Sequence, residues 1–288
     1  MAITCRMREI LGIFRPLVQG MVVLSATHIG VAGDAVFPDC DVCPKLLKVP
    51  AGSFELRNAP WGPGHPHDEG FFYRVTFSDS FYIGKYEVTV REWGLCVLDG
   101  KCADVLSSRE NKESYPVTDV TWSQASSYTK WLTEKTGFKY RLPSNAEWEY
   151  AARAGLGMNR YFDIPMSELC QYANTFDQSV LSDFPVQDEL TPCDDGFAEI
   201  APIGSFTPNS FGLYDTLGNV SEWTEDCASP DWRGAPPDGK SWLDGDCSLR
   251  GYRGGSYLSN EPYYLVESHR FRYPGLGAQD LGFRVLRE

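Results

Sequence analysis

The sequence predicts an α+β fold with few helices, short strands and much ordered loop. Its 288 residues are 42% hydrophobic and 14% aromatic, which is enough apolar surface for a sizeable core. From about residue 155 to residue 212, Pro, Gly, Asp and Asn replace regular patterns. A long irregular stretch in a compact domain needs metals, disulfides or aromatic packing to hold it. No linker-like run interrupts the middle of the chain, so we expect one main domain.

The first 35 residues have the layout of a secretory signal peptide. Three arginines lead the segment: Arg6, Arg8 and Arg15. Residues 17–32 are then mostly apolar, and the small residues at 33–35 suit a cleavage site. A membrane anchor is the alternative, but the apolar run is short and contains Gln19 and His28. We therefore expect cleavage near Ala35, export to the periplasm or the extracellular space, and no membrane span in the mature chain.

Eight of the nine cysteines lie beyond this leader and fall as neighbours along the chain. They are Cys40 and Cys43, Cys96 and Cys102, Cys170 and Cys193, and Cys227 and Cys247. An even count in an exported chain indicates disulfides, and sequential pairing is the expectation from proximity. A zinc site is the alternative. However, the one CxxC pair, in the N-terminal segment 36–43, has no second pair at zinc-finger spacing.

The chain is acidic, with a formal net charge of −13 at pH 7. Such a surface repels phosphate backbones, which argues against nucleic acid as a partner. The sequence contains no phosphate-binding loop, dinucleotide fingerprint or nucleophile elbow. Clustered carboxylates in such a chain are compatible with calcium sites.

Three segments have the aromatic and β-branched composition of strands. Lys48–Phe54 is expected to form an opening strand, and Phe71–Phe77 follows it. Phe81–Val90 has the same composition. We expect all three to be strands.

Three further segments have helical patterns. Val90–Asp99 is expected to begin a helix, and Ser123–Thr136 has apolar residues at helical spacing after a Ser N-cap. Ser144–Ala154 has the clearest start signal, because Ser144 and Glu147 form a capping box ahead of an aromatic stripe. These helices, with the scattered strands, predict the α+β class.

Five segments together identify a family. They are VPAGSF (Val49–Phe54), EVTVREW (Glu87–Trp93), RLPSNAEWEYAAR (Arg141–Arg153), GLYDTLGNVSEW (Gly212–Trp223), and RGGSY with LGFR (Arg253–Tyr257 and Leu281–Arg284). Their order and spacing over residues 44–288 resemble the formylglycine-generating-enzyme (sulfatase-modifying factor) domain. That resemblance implies a fold related to C-type lectin-like folds. Arg253 and Arg284 are expected to form buried ion pairs with carboxylates such as Glu147 or Glu149.

Two groups of residues match positions where the family holds calcium. The first group is Asp215, Gly218, Val220 and Glu222. The second group is Asn174, Thr175, Asp195 and Phe197. Hard cations prefer several oxygens that converge from side chains and main chain. The alternative is that Asp215 or Asp195 only caps a turn. We expect calcium, in a structural role, at both sites.

The resemblance breaks down where the family's oxidase carries its chemistry. There, two cysteines hold copper(I) at the seventh and twelfth positions of the segment that starts at the Arg of RGGS. In this sequence those positions are Ser259 and Tyr264. Copper(I) prefers soft thiolates, and a hydroxyl and a phenol are hard, weak ligands for it. We therefore expect no copper and no conversion of a cysteine to formylglycine.

The same segment contains a polar and aromatic set of candidate catalytic residues. They are Ser256, Glu261, Tyr263, Glu267 and His269. A combination of Glu, His and Tyr is suited to general acid–base catalysis. It is equally suited to a hydrogen-bonding surface, and the sequence leaves that choice open.

Family members without the copper cysteines include exported proteins that assist the oxidative maturation of peptide siderophores such as pyoverdine. The resemblance therefore implies an exported enzyme or accessory that acts on a peptide-like substrate. The alternative is a non-catalytic, calcium-stabilised binding or scaffold module of the secretory or periplasmic space. Fold alone does not choose between the two, and the residues do not fix the reaction.

Overall fold

Long loops separate the regular elements of this α+β domain. The computed structural model describes residues 39–40, 42–57, 72–105, 112–155, 165–180, 190–229, 233–259 and 270–288. The predicted signal peptide, residues 1–35, lies outside them. Within the described ranges, no helix is both long and apolar enough to cross a bilayer.

Ten short strands form three sheets in the described part of the chain. In chain order they are β1 (Leu46–Val49), β2 (Gly52–Arg57), β3 (Phe72–Phe77), β4 (Phe81–Gly84), β5 (Tyr140–Arg141), β6 (Ser221–Ala228), β7 (Asp246–Arg253), β8 (Arg270–Arg272), β9 (Leu281–Gly282) and β10 (Leu286–Arg287). One four-stranded sheet has the order β1-β4-β10-β5, a second has the order β8-β7-β6-β9, and β2 pairs with β3. The strand β10 thus lies inside a sheet whose other strands come from the first half of the chain. The pairing of β6 with β9 is parallel.

In the described ranges, three α-helices lie between the first sheet strands and the irregular stretch: α1 (Val90–Leu98), α2 (Trp122–Thr136) and α3 (Asn145–Arg153). Each begins with a capping box, formed by Thr89 and Glu92, by Thr121 and Gln124, and by Ser144 and Glu147. The capping box predicted at Ser144 is confirmed. The N-cap predicted at Ser123 is wrong, because the Thr121 hydroxyl accepts the Gln124 amide and starts the helix earlier.

Two strand predictions need correction. Lys48–Phe54 is not one strand, because the chain leaves the extended ladder at Pro50 and Ala51 between β1 and β2. The strand predicted over Phe81–Val90 ends at Gly84, since Thr89 already caps α1. The prediction for Phe71–Phe77 is confirmed by β3, apart from its first residue, which lies outside the described residues.

An aromatic core lies between the helices and the sheets. Trp93 of α1, Tyr128 of α2 and Phe283 beside β9 contact one another, with ring centroids 5.5 to 6.1 Å apart. All three are fully buried. Helix α3 is buried along its whole length and contacts β6 and β7. This burial fixes α3 next to the strands that carry the candidate site.

Local helical turns, a disulfide and a main-chain bridge order the described part of the irregular stretch after α3. Two short 3₁₀ helices lie at Met166–Gln171 and Gln178–Val180. The Cys170–Cys193 disulfide joins the first of them to the loop that follows residue 190. A parallel bridge between Asn174 and Gly218 connects the stretch to the segment before β6.

Four disulfides join cysteines that are neighbours in the chain. They are Cys40–Cys43, Cys96–Cys102, Cys170–Cys193 and Cys227–Cys247. The pairing expected from proximity is the one observed. Asp39, next to the first disulfide, pairs with Arg287 of β10 and accepts a hydrogen bond from Tyr140 of β5. Asp39 is thereby fixed to the first four-stranded sheet.

Candidate functional site

The first candidate calcium group lies in a buried set of three carboxyl groups and one guanidinium, here called the acid–arginine cluster (Glu87, Asp215, Glu222 and Arg284). Glu222 lies on β6, and Arg284 follows β9, its parallel neighbour. Arg284 donates from Nε to Glu222 Oε2 at 2.6 Å and from Nη2 to Oε1 at 2.5 Å. Trp148 Nε1 of α3 donates to Glu222 Oε2 at 2.7 Å. Both oxygens of Glu222 are therefore already hydrogen-bonded.

Asp215 and Glu87 are the members of this cluster with unused oxygens. Asp215 Oδ2 accepts the Gly204 amide at 2.7 Å, and Glu87 Oε1 accepts Asn219 Nδ2 at 3.0 Å. Asp215 Oδ1 and Glu87 Oε2 are buried and accept no hydrogen bond from an N–H group or a hydroxyl. The two carboxyl groups are close enough for one of them, when protonated, to donate to the other.

Burial shifts the titration of both of these carboxyl groups upward. It raises the pKa of Glu87 well above its usual range; the charge of Asp215 adds to the rise and Arg284 opposes it. Burial also raises the pKa of Asp215 to about 6, although the Gly204 amide and Arg284 lower it. One guanidinium faces three carboxyl groups, so the fully ionised cluster has a net charge of −2 and needs two protons or a divalent cation to be neutral.

Gly218 and Val220 form the turn that leads from this cluster into β6. Gly218 has a φ of +72°, and a Cβ at this position would lie 1.9 Å from Asn174 O. Glycine is therefore required for the close approach of the two main-chain segments. Val220 is fully buried directly before the strand.

The second candidate group surrounds two carboxylates that we call the loop carboxylate pair (Asp177 and Asp195). Thr175 N donates to Asp195 Oδ2 and Phe197 N donates to Asp195 Oδ1, both at 2.8 Å. The Asp195 amide in turn donates to Asp177 Oδ2 at 2.5 Å. Burial raises the pKa of Asp195 to about 7 and the charge of Asp177 adds to the rise, although the two amides lower it. The structure thus brings Thr175, Asp195 and Phe197 together.

Asn174 lies beside the loop carboxylate pair and leaves one oxygen unused. Its Nδ2 donates to Glu199 O at 2.9 Å and to Asn219 Oδ1 at 3.2 Å, while its Oδ1 is buried without a partner. Thr175 Oγ1 is also buried without a partner. Buried oxygens that accept nothing are costly unless an ion or a water is bound. This donor set fits a hard cation, which takes carboxylate, amide and main-chain oxygens.

Asn219 connects the two candidate groups, and the sequence analysis missed it. Its Oδ1 accepts the Ala201 amide at 2.9 Å and Asn174 Nδ2 at 3.2 Å, while its Nδ2 donates to Glu87. Its main-chain amide donates to Asn174 O at 2.9 Å. Asn219 has a φ of +55°, a conformation in which asparagine is enriched. The Gly218-Asn219 dipeptide in the sequence indicates a turn at this residue, and it was the feature from which Asn219 could have been identified.

The described part of the candidate groove is the turn from Ser256 to Ser259. Ser256 Oγ donates to Asp280 Oδ2 at 2.8 Å, and Ser256 N donates to Ser259 Oγ at 3.0 Å. The Ser259 carbonyl accepts the Phe176 amide at 3.0 Å. The groove is therefore connected to the loop next to Asp177. Asp280 carried no sequence signal of its own.

An open pocket lies next to this turn. Its polar and aromatic lining includes Lys112, Tyr115, Glu199, Tyr257 and Gln279. Lys112 Nζ lies 5.1 Å from the centre of the Tyr115 ring and 4.0 Å from Glu199 Oε2. The other four candidate catalytic residues, Glu261, Tyr263, Glu267 and His269, lie outside the described residues, as does Tyr264.

The buried arginines pair with carboxylates, as expected. Arg253 Nη2 lies 3.0 Å from Glu149 Oε2 on α3. Arg284 pairs with Glu222 rather than with a carboxylate of α3. Glu147, the other expected partner, is paired with Arg141 at 2.6 Å. Both arginines thus hold strands to neighbouring elements.

Comparison with known proteins points to one family. The model of the "Sulfatase-modifying factor enzyme 1-like domain" matches residues 34–288. The formylglycine-generating enzyme of Streptomyces coelicolor is 35% identical over 180 residues, which cover 62% of this chain and 54% of the relative. The chain spans about half the length of the curated relatives of this name that it matches.

Two other similarities extend over almost the whole of both chains. The structure of PvdO from Pseudomonas aeruginosa has a TM-score of 0.74 and 33% identity, and covers 88% of this chain and 98% of that one. The chaperone protein LppX of Paenibacillus barcinonensis is 25% identical over 311 residues, with coverage of 92% and 97%.

Proposed function

Because the chain belongs to the family of the sulfatase-modifying factor enzyme 1-like domain, we propose that it is an exported maturation protein that binds a peptide-like substrate. The proposed substrate is of the siderophore type, and it binds in the groove beside Ser256. The proposal does not include copper-dependent generation of formylglycine. The observation that carries it is the hydroxyl of Ser259 at a position where the family's oxidase has a copper-binding cysteine.

The donors near Ser259 do not fit copper(I). Ser259 Oγ is a hard oxygen that already accepts the Ser256 amide at 3.0 Å. Every cysteine in the described ranges is disulfide-bonded, so no thiolate is available from them. Copper(I) needs soft sulfur donors. We therefore assign no step of the reaction to copper.

The groove is suited to a peptide-like molecule by its mixture of charge, hydroxyl and aromatic surface. Asp280 fixes the Ser256 hydroxyl through a hydrogen bond of 2.8 Å. In the adjoining pocket, Lys112 and Glu199 offer one charge of each sign, and Tyr115 and Tyr257 offer aromatic surface. In pockets that bind small molecules, aromatic side chains commonly provide contact surface and a few polar groups orient the ligand.

Acid–base groups for a reaction in this groove are proposed from the sequence. Glu261, Glu267 and His269 would transfer protons, and Tyr263 and Ser256 would shape the groove. They follow the turn at Ser259 directly in the chain. Replacing Glu261, Glu267 and His269 together is expected to abolish conversion of the substrate, and unchanged conversion would place the reaction elsewhere.

Calcium is proposed as a structural cofactor at both predicted groups. At the second group, the unpartnered oxygens of Asn174 and Thr175 beside Asp195 support it. At the first group, the unpartnered Asp215 Oδ1 supports a calcium ion. Glu222 would have to bind that ion while it also accepts a hydrogen bond from Arg284. A bound ion would hold the irregular stretch to β6 because the two groups adjoin at Asn174 and Gly218.

A second candidate function is a non-catalytic binding or scaffold module. The similarity to a protein named as a chaperone, over 92% of this chain and 97% of that protein, favours it. In this case the same groove would hold a partner peptide, and calcium would stabilise the surface. The difference between the two functions is whether the bound molecule is converted.

The test is a pair of assays on the mature protein. With a peptide-siderophore precursor, we expect binding by calorimetry and conversion by mass spectrometry, and Lys112→Ala should weaken binding. Leu243→Ala, at an exposed side chain that does not line the pocket, is the control. With a sulfatase-type cysteine peptide and added copper, we expect no aldehyde. Aldehyde or stoichiometric copper would contradict the first function, and binding without conversion would favour the second.

Export is proposed from the leader and is supported by the four disulfides, which persist in oxidising compartments. Mass spectrometry of protein isolated from its native host is expected to detect a chain that begins near residue 36 and has no free thiol. A chain that keeps residues 1–35, or that contains two or more free thiols, would contradict export.

A further inference from the structure

Asp177 is buried next to Asp195, although it belongs to neither predicted metal group. Its side chain is completely buried. Its Oδ1 accepts the Ser179 amide at 2.8 Å, and its Oδ2 accepts the Asp195 amide at 2.5 Å. Two amides do not neutralise a carboxylate, and a buried charge without a counter-charge is costly.

The two carboxylates of the loop carboxylate pair converge on one place. A carboxylate oxygen of Asp177, one of Asp195 and the Cys170 sulfur all lie within 4.8 Å of one another. Among the described residues, no lysine or arginine forms an ion pair with either aspartate. Two carboxylates this close repel each other unless a cation or a proton lies between them.

The remaining donors around the pair are oxygens. Cys170 is bonded to Cys193, so its sulfur is not a thiolate and does not favour a soft metal. The unpartnered oxygens of Asn174 and Thr175 belong to completely buried side chains. Thr175 lies directly beside the pair, since its amide donates to Asp195 Oδ2 at 2.8 Å. Oxygen donors of this kind suit calcium.

We propose that Asp177 is a direct ligand of the cation at this site, so that the ion bridges Asp177 and Asp195. The inference rests on the proposed calcium site and adds a second carboxylate to the one in the predicted group. The number of charged ligands is one of the factors that set calcium affinity. The ion would also join the 3₁₀ helix at Gln178–Val180 to the loop at Asp195, on either side of the undescribed residues 181–189.

Calcium titration of two matched variants tests the role of Asp177. Asp177→Asn removes its charge, and Asp194→Asn removes a neighbouring charge that is exposed and accepts the Gly196 amide. Isothermal titration calorimetry of calcium-free protein gives Kd for calcium. We expect Asp177→Asn to raise Kd about ten-fold or more and Asp194→Asn to raise it less than about three-fold. An equally small change in both variants would overturn the proposal.

Wild type and Asp195→Asn separate this proposal from the calcium proposal on which it rests. A wild-type protein that binds no calcium would overturn both. Binding at the loop site that is lost in Asp195→Asn and intact in Asp177→Asn would overturn only the role of Asp177. Should Asp177→Asn not fold, a crystal structure of the wild-type protein with calcium decides the question. An Asp177 oxygen is expected about 2.3–2.6 Å from the ion, and a distance beyond about 4 Å would exclude direct ligation.

Discussion

The acid–arginine cluster and the loop carboxylate pair offset buried negative charge in different ways. In the cluster, Arg284 donates to both oxygens of Glu222 from a part of the chain 62 residues away. In the pair, the described residues supply no cationic side chain to Asp177 or Asp195. The chain itself therefore neutralises Glu222 in the cluster, whereas the pair depends entirely on a proton or a cation that binds to it. The two regions should respond to different perturbations.

Arg284→Met is expected to have the largest effect, because it leaves Glu222 buried without its partner. Removing one member of a buried ion pair costs about 3–5 kcal/mol in the free energy of unfolding. Urea denaturation measures this quantity. Lys101→Met is the control, since it removes an exposed pair with Glu134 and is expected to lower the free energy of unfolding far less. A loss as small as that of the control would mean that Arg284 does not stabilise the cluster.

Removing the Cys170–Cys193 disulfide is expected to affect the loop region next most strongly. The bridge closes a separation of 23 residues, for which the loss of loop-closure restraint is about 3 kcal/mol. The sulfur of Cys170 lies 3.1 Å from Asp177 Oδ2, so the double Cys→Ser variant should also bind calcium more weakly. The matched control removes Cys40–Cys43, which spans a separation of 3 residues. Equal losses of calcium affinity in both variants would argue against a local effect.

Calcium removal is expected to lower the melting temperature measured by calorimetry. An ion that binds only the native state contributes about 2.7 kcal/mol when its free concentration is about 100 times Kd. Asp195→Asn should remove most of the effect of a chelator. Asp215→Ala should remove a smaller part, since Arg284 remains in that cluster. A melting curve that does not change with chelator would count against both calcium sites.

The last expected effect is on the pH dependence of stability. Burial raises the pKa of Asp195 to about 7 in the native protein without calcium. The native state then binds more protons than the unfolded state, so stability should fall as pH rises from about 4 to about 7. Calcium requires the ionised carboxylate, so saturating calcium should reduce this decline.

Asp226 provides an internal control for that experiment. Burial raises its pKa to about 7 as well, but it accepts the amides of Asn145 and Trp242 and is not part of either candidate site. The part of the decline in stability that Asp226 causes should persist when calcium is added, and it should also persist in the Asp195→Asn variant. Thermal melts at a series of pH values measure both parts. If stability declined with pH to the same extent with and without calcium, Asp195 would not be a ligand of the ion.

Local signals predicted the helices, whereas the contacts of the site are long-range. The capping box of Ser144 and Glu147 is a four-residue pattern, and the structure confirms it. The Thr121 and Gln124 box was equally visible in the sequence, and Ser123 was a less suitable choice because Thr121 begins the same pattern. Strand ends were harder to predict, since Phe81–Val90 has strand composition but is interrupted by the cap at Thr89.

The family motifs predicted which segments meet, but not how their charges are shared. Asp215 and Glu222 are placed in one buried cluster, yet the partner of Glu222 comes from LGFR near the end of the chain. Asp177 and Asn219 were missed because their roles depend on three-dimensional neighbours rather than on a spacing within the sequence. The positions of Glu261, Tyr263, Glu267 and His269 remain predictions.

The hydrogen bonds of Asn219 imply a thermodynamic linkage between the two carboxylate regions. The side-chain Oδ1 of Asn219 accepts from Asn174 and its Nδ2 donates to Glu87, so a shift of Asn174 would change the hydrogen bond to Glu87. Occupancy of the loop site should therefore alter the proton affinity of Glu87. Protonation of Glu87 must alter the affinity of the loop site by the same factor, because coupling free energies are reciprocal. Through the single residue Asn219, the pH of the solution would thus set the affinity of the loop site for its ion.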